Sequence, residues 1–310
     1  MNEKIRDISV VVTYHNREQY IDEAIKSVLA QTLKPLEIIV VNDGSTVAAR
    51  RHLERWQNDC TIVDLLRQSG PSAARNEGVR HARGTFVAFL DDDDIWLPHK
   101  LDIQRRFLEE HPECSAVHGA AWFFFSHRPE WYYKGFAPGP MTLAQALTDE
   151  YWVMTPTLFA RREMLAAMGG YDVGFREAED RDLIIRCCAA GHRIEGIPEP
   201  LARVRRQGHP SLTHRRWRVF RTDLRMCWKH RALYLRAYGP RGVLSFVLEK
   251  VQLPSRQTRY VDGAVRRLLR YVPVKYEIRP TYREPVLESR PFAFAPCPRH
   301  PPELLNENQA

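Results

Sequence analysis

The stretch FVAFLDDDDIWLP, residues 86–98, decides the fold. An apolar run from Phe86 to Leu90 leads directly into four consecutive carboxylates, Asp91, Asp92, Asp93 and Asp94. Four like charges at one strand end repel one another, so a site that holds them together calls for a cation. Hard divalent ions such as Mg2+ or Mn2+ take oxygen ligands, commonly one or two carboxylates plus substrate phosphates. The competing description is a solvated acidic turn ahead of a helix that starts near Pro98. The ninety or so residues before the run decide between the two.

Those residues alternate between strand and helix patterns. Residues 8–12, 37–41 and 61–66 are short apolar runs. Between the first two, Tyr20, Ile21, Ala24, Ile25, Val28 and Leu29 recur at the three/four spacing of a helix, with Asn16 placed as its N-cap. After the third, an Ala-rich polar stretch over 72–83 predicts a helix that Gly84 ends. The β-α-β-α order predicts an α/β fold with a mostly parallel sheet flanked by helices and right-handed crossovers. Ligands of such sheets bind outside the carboxyl ends of the strands. Each strand here ends in polar residues: Thr13-Tyr14-His15-Asn16, Asn42-Asp43-Gly44-Ser45, and the Asp run. Three polar termini along one sheet edge make a site, which favours the cation over the solvated turn.

Taken together, VVVTYHNREQYIDEAIKSVLAQT, IIVVNDGST and GPSAARNEGVRHARGTFVAFLDDDDIW resemble the amino half of family 2 glycosyltransferases, in that family's order and spacing. The resemblance covers roughly residues 7–213. It implies a GT-A-type nucleotide-sugar-binding fold, an inverting transfer and a nucleotide-sugar donor. It also implies roles. Thr13, Tyr14 and Asn16 would line the nucleotide pocket. Asp43 would accept a hydrogen bond from a base N–H, most simply N3–H of uracil or thymine, which favours UDP or dTDP; a turn or cap role beside Gly44 and Ser45 is compatible with that. Arg75 resembles the arginine that reaches nucleotide or diphosphate, the alternative being a solvated helix residue. In the acidic run the register fits Asp91 and Asp93 as an Asp-x-Asp pair, with Asp92 and Asp94 left open. Asp93 is the expected direct metal ligand, Asp91 touches the ribose or a metal-bound water, and Asp92 belongs to the nucleotide side. Arg205, His209 and Ser211 resemble a closing element over the diphosphate, in which His209 ligands the metal or hydrogen-bonds phosphate. Residues 151–157 resemble a strand near the donor sugar, where Trp152, like Trp131, either stacks on a sugar or packs internally; packing is expected for Trp122 and its aromatic neighbours.

Inverting transfer needs one carboxylate to take the proton from the acceptor hydroxyl, and no acid if a metal neutralises the departing diphosphate. The segment from Gly169 to Leu183 resembles the family's Glu-Asp motif at the start of the acceptor-side helix. Leu183, Ile184, Cys187 and Cys188 give that helix an apolar face, and Gly191 is placed to end it. Glu179 and Asp180 then fall at its amino terminus, where the helix dipole favours their ionised forms. Asp180 is the expected base, with Glu179 as the second candidate or an acceptor-binding carboxylate. Plain helix capping accounts for one acid there, not for Glu177, Glu179, Asp180 and Asp182 together.

Composition bounds the rest. With 310 residues the chain can bury a sizeable core. It has no 18-residue apolar run and no signal-peptide core in MNEKIRDISV, which predicts a cytoplasmic protein. Six cysteines without CxxC pairing fit buried thiols. The formal net charge is +8, yet residues 201–280 carry about 20 Lys/Arg against 4 Asp/Glu, so the remainder is acidic. The expected organisation is a catalytic domain over 1–213, a basic helical extension over 214–280 and a Pro-rich, poorly ordered tail over 281–310. Arg mixed with Trp217, Phe220, Leu224, Trp228 and Leu235 suits an anionic membrane surface at the inner face of the cell membrane; a helix packed on the catalytic domain shows the same stripe. No nucleic-acid-binding motif accompanies the charge. Arg216-Trp217 follows Thr213 where processive polymer synthases carry Gln, which favours transfer of one sugar to a glycan or lipid-linked acceptor in cell-surface polysaccharide or lipopolysaccharide assembly. A sugar nucleotidyltransferase would want a Gly-rich phosphate loop where 13–17 has none. A non-catalytic sugar-binding relative would lack the Asp run or the Glu-Asp pair, and both are present.

Overall fold

The structure is a computed structural model that describes residues 7–125, 128–134, 139–148, 153–206 and 212–255. Trp152, His209, Ser211 and everything after residue 255 lie outside the described residues, as do the side chains of Trp131 and Trp217.

The first half alternates strand and helix: β1 (Ile8–Tyr14), α1 (Glu18–Leu29), β2 (Glu37–Asp43), α2 (Val47–His52), β3 (Thr61–Leu65), α3 (Pro71–His81) and β4 (Phe86–Asp91), with α2 added to the order the sequence predicts. The next elements are β5 (Ile95–Trp96), α4 (Lys100–Glu110), β6 (Cys114–Phe125), β7 (Arg128–Lys134), β8 (Gly139–Pro140) and α5 (Leu143–Thr148). They are followed by β9 (Phe159–Arg161), α6 (Arg162–Ala167), α7 (Glu179–Ala189), β10 (Arg193–Arg206), α8 (Leu212–Lys229) and α9 (Arg231–Ser255). The strands form one sheet in the order β3-β2-β1-β4-β9-β6-β10-β5, with β7 on β6 and β8 on β10. β3, β2, β1 and β4 run parallel, as do β6 and β10, while β9 joins the two blocks antiparallel to both neighbours. β1 has β2 on one side and β4 on the other, so the chain leaves it in both directions. That is the topological switch point at which α/β sheets open a crevice.

Alternation on the inner strands fills both faces. Val10 and Val12 of β1 join Ile38 and Val40 of β2 and Ala88 and Leu90 of β4 under α1 and α4. Val11, Ile39, Val41, Val87 and Phe89 point the other way, into a core with α3, α6 and α7. A sheet covered on both faces accounts for the nearly continuous apolar runs. Met226 of α8 and Tyr234 and Phe246 of α9 are buried in that second core. Residues 212–255, the described part of the expected extension, are helical, and one of their faces packs on the sheet-and-helix body.

Three local expectations are corrected. Asn16 does not cap α1; the cap position is Arg17, and no side chain caps it. Asn16 instead adopts a left-handed backbone, φ 52°, and its amide oxygen accepts from Thr46 N at 2.8 Å, which ties β1 to α2. Residues 155–157 form a 3-10 turn, not a strand; Trp96 Nε1 donates to the Pro156 carbonyl oxygen and holds it. Finally, α3 ends at His81, short of Gly84: Ala82 is already extended, and Gly84 packs its backbone against Asp7 and Ser9 at the first strand's entry.

Candidate active site

The carboxyl ends of β1, β2 and β4 lie side by side. Register pairs Thr13 with Asp91 across β1 and β4, and Tyr14 with Asn42 across β1 and β2. Asp43 ends β2 with its two carboxylate oxygens accepting from Ser69 N at 2.6 Å and Gly70 N at 2.8 Å. Gly70 carries φ 92°, a conformation that aims its N–H at Asp43 and that glycine adopts freely, and Pro71 then starts α3. Asp43 thus shapes the loop into α3, and each carboxylate oxygen keeps a second lone pair for another donor. Thr13 Oγ1 donates to Asp91 Oδ1 at 3.1 Å. Tyr14 goes elsewhere: its ring is buried in the core and its hydroxyl donates to the Ala49 carbonyl oxygen.

The cations beside the acidic run are arginines. Arg17 bridges Asp92 and Asp93, with Nη1 at 2.8 Å and 2.9 Å from one oxygen of each. Asp92 also accepts from the His15 backbone N–H. Burial pushes the Asp92 carboxyl up to about 7 despite Arg17 and that N–H. Burial likewise raises Asp93, with Asp91 adding to it and Arg17 opposing. Asp94 accepts from Arg205 N, and Arg205 Nε donates to the Asp93 carbonyl oxygen. Arg205 lies in β10, packed between Tyr20 and Phe124, so it holds the acidic turn from beneath. Nothing in the sequence pairs Arg17 with residues 75 positions away; its location just after the first polar strand end was the available signal.

Arg75 joins this strand edge to α7. It is 3% exposed, with Nη2 donating to Asp91 Oδ1 at 2.7 Å and Nη1 donating to Glu179 Oε1 at 2.5 Å. Burial alone would push its guanidinium down, but Asp91 and Glu179 more than offset that and hold it above its ordinary value. It is therefore neither the solvated arginine nor, in this geometry, a group with both ends open to a ligand. Glu179 and Asp180 open α7 as the sequence predicts. Ala178 before them takes a left-handed backbone, φ 58°, costly for a non-glycine residue and held by its surroundings. Asp180 Oδ1 accepts from Arg181 N at 2.7 Å. The turn is completed by Asp182, which is buried and receives Arg186, Lys229 and His230. Burial raises its pKa, but those partners hold the carboxyl well below the usual range.

Could this edge take a divalent ion? Among the described residues no group of three or more His, Cys, Asp or Glu side chains is placed to hold one. Two carboxylates are available. Asp91 has a side chain 28% exposed, and its Oδ2 makes no hydrogen bond among the described residues. Asp93 has a side chain 14% exposed. Two hard oxygen donors with the remaining positions left to phosphate and water suit Mg2+ or Mn2+.

The site thus lies at the acidic switch point of a doubly covered α/β sheet, beside a second helix that opens with carboxylates. The profile of glycosyl transferase family 2 matches residues 9–169, and the chain belongs to that family. Over 121 residues it is 40% identical to an uncharacterised glycosyltransferase of Rickettsia conorii, covering 39% of this chain and 18% of that protein. The chain therefore spans less than a fifth of the Rickettsia relatives it matches. It is 24% identical to the amylovoran biosynthesis glycosyltransferase AmsE of Erwinia amylovora, covering 86% of this chain and 95% of AmsE. The fold is similar to that of S. aureus TarS in complex with UDP-GlcNAc, with a TM-score of 0.61, 20% identity, and 82% and 75% of the two chains covered. The similarity confirms the GT-A-type architecture.

Proposed function

We propose that this chain is a glycosyltransferase that moves one sugar, with inversion, from a nucleotide-sugar donor to a hydroxyl of a glycan or lipid-linked acceptor. The observation that carries the reading is the juxtaposition of Asp43 at the end of β2, and Asp91 and Asp93 at the end of β4, with Glu179 and Asp180, linked through Arg75. Asp43 receives the base N–H, which favours UDP or dTDP; TarS has been solved with UDP-GlcNAc. Thr13 and Asn16 border the nucleotide, Tyr14 supports that border from the core, and Asp92 fixes the loop by receiving the His15 N–H. Asp93 and Asp91 are the residues that would hold Mg2+ or Mn2+, which would supply positive charge to the departing diphosphate. Asp180 takes the proton of the acceptor hydroxyl as its oxygen attacks the anomeric carbon and the diphosphate leaves from the opposite face. Polysaccharide assembly at the inner face of the cell membrane suits the name of AmsE and the basic helices. The catalytic unit over 1–213 works with the extension over 214–280.

The test is a panel of UDP-, dTDP- and GDP-sugars with Mn2+ or Mg2+, read by melting temperature and by release of nucleoside diphosphate. A donor that binds the native state raises the melting temperature by mass action. Asp93→Asn should keep the fold and lose most metal-dependent turnover. Full turnover by Asp93→Asn, or by wild type in excess EDTA, rejects the metal assignment. Pyrophosphate release from a nucleoside triphosphate would replace the transferase with a nucleotidyltransferase.

A further inference from the structure

We propose that Asp223 and Tyr234, in the basic carboxyl-terminal helices, are positioning residues for the Asp180 carboxylate and act through Arg181. The proposal rests on the reading of Asp180 as the base.

Arg181 follows Asp180, and its own backbone N–H donates to Asp180 Oδ1 at 2.7 Å. Where Arg181 is fixed, the carboxylate is fixed. Its guanidinium runs away from the site and is buried among four acceptors. Nη1 donates to Asp223 Oδ1 at 3.1 Å, Nη2 to the Leu147 carbonyl oxygen at 2.6 Å and to the Tyr234 hydroxyl at 3.1 Å, and Nε to the Ala146 carbonyl oxygen at 3.2 Å. Tyr234 completes the set by donating its hydroxyl proton to the same Leu147 oxygen at 2.8 Å. A planar, permanently charged fork held this way has one orientation.

A second anchor acts one residue later. Asp182 Oδ1 lies 2.6 Å from Nζ of Lys229, the last residue of α8, and 2.8 Å from Nε2 of His230 in the turn that follows, while Oδ2 takes Arg186 at 2.8 Å. Lys229 reaches back to Asp172 as well, in the loop that leads to α7. The first turn of α7 is thus divided. Glu179 faces the strand edge through Arg75, while Arg181 and Asp182 face α8 and α9. Asp180 sits between the two sets, after a left-handed Ala178.

The chemistry explains why an acid occurs in so basic a segment. Asp223 is one of about four Asp/Glu between 201 and 280 and is buried. A buried acid without a partner is costly, and a buried arginine without one is too, so each makes the other tolerable. Both lie beyond residue 169, outside the part that the family profile matches. This chain uses its own extension to hold the catalytic turn.

Asp223→Asn keeps the shape and removes the charge; Tyr234→Phe removes only the hydroxyl. Both are made in the full chain and checked for folding by melting temperature. Amide hydrogen exchange should rise in residues 178–187 and stay unchanged in residues 8–14 and 86–94. With the panel donor that wild type turns over, and water as acceptor, kcat should fall about tenfold or more in Asp223→Asn, since small misplacements of a reacting group carry losses of that order. Tyr234→Phe should lose less. The donor KM should stay the same in both. A folded Asp223→Asn and a folded Tyr234→Phe with wild-type exchange in 178–187 would overturn the proposal. So would losses that match the unfolded fraction, with kcat per folded molecule unchanged. Failure of the base assignment looks different: Asp180→Asn would then keep wild-type kcat, while the exchange result still reports on the clamp.

Discussion

Asp180 and Glu179 are neighbours in sequence with separate chemistry. Glu179 is spent on Arg75, whose other amine holds Asp91. Glu179→Gln leaves a buried guanidinium short of a counter-charge, which should destabilise the fold by about 3–5 kcal/mol. Asp180→Asn keeps the shape of the side chain and should fold normally, bind donor as wild type does, and lower kcat by about 10²–10⁴-fold, the usual worth of a general base. A drop in donor affinity at unchanged kcat would reduce Asp180 to a binding or capping group. Lys100 tells a different story at the same scale. It is fully buried at the start of α4, with Nζ donating to Gln104 Oε1 at 2.6 Å and lying 4.1 Å from the centre of the Trp96 ring. The ring face offers a cation about 2 kcal/mol. Removing an ammonium from water costs several kcal/mol, and burial holds its pKa well below the ordinary lysine value. The unfolded chain then binds a proton there that the folded chain does not, between the lowered value and the normal one. Stability from this group falls as pH drops through that window. Lys100→Met should therefore gain stability relative to wild type at pH 7 compared with pH 10, as read by urea unfolding at both. An identical difference at the two pH values would show that Lys100 stays charged in the fold.

At the scale of elements, the first four strands and the helices α1 and α3 are legible because local signals agree, whereas the six-residue α2 is too short to show a period. β1 to β4 are apolar runs, and α1 carries a clean helical stripe. Gly78 shows how tightly α3 sits on β1. A Cβ there would fall 2.2 Å from Val11 Cγ1, on a branched side chain in a fully buried strand. Gly78→Ala should cost about 1–3 kcal/mol, the ordinary penalty for overpacking a core; a variant with the wild-type melting temperature would show that α3 can lift without loss. Other features resist reading for a physical reason. The antiparallel insertion of β9 between β4 and β6 depends on three residues whose partners lie 42–75 positions away. The left-handed Asn16 depends on Thr46, and the arginine counter-charges of the Asp run depend on Arg17 and Arg205. A local pattern reported the acidity of residues 91–94 and said nothing of which cations face it. The divalent ion inferred from acidity alone has to share Asp93 with Arg17.

On the whole molecule, charge divides the chain, and the carboxyl-terminal helices carry the positive part on a two-sided structure. The stripe legible in sequence, Phe220, Leu224 and Trp228, is not the face that packs. Asp223, Met226, Cys227, His230 and Tyr234 are the buried ones. The polar members of that face look solvated until Arg181 and Asp182 are seen to meet them, which no spacing rule reveals. The stripe is left half-buried or exposed: Trp228 is 73% exposed, with Val219, Leu235 and Leu244 also exposed. Arg221, Arg225, Arg231 and Arg236 are exposed in the same helices. Among the described residues no helix is long and apolar enough to cross a membrane. A surface of guanidinium groups around an exposed indole suits the headgroup layer of an anionic bilayer, where each basic residue is worth about 1 kcal/mol and the attraction fades beyond a Debye length. The prediction is that the protein sediments with vesicles containing phosphatidylserine or phosphatidylglycerol, not with phosphatidylcholine alone, and that raising salt releases it. Changing Arg221 and Arg236 to Gln together with Trp228→Ala should abolish most of the binding. These three side chains are exposed, whereas Arg181 and Asp182 are buried, so turnover of a soluble acceptor mimic should persist. Equal binding to neutral and anionic vesicles, or none to either, would reject the membrane role and leave the two helices with the single task of holding α7.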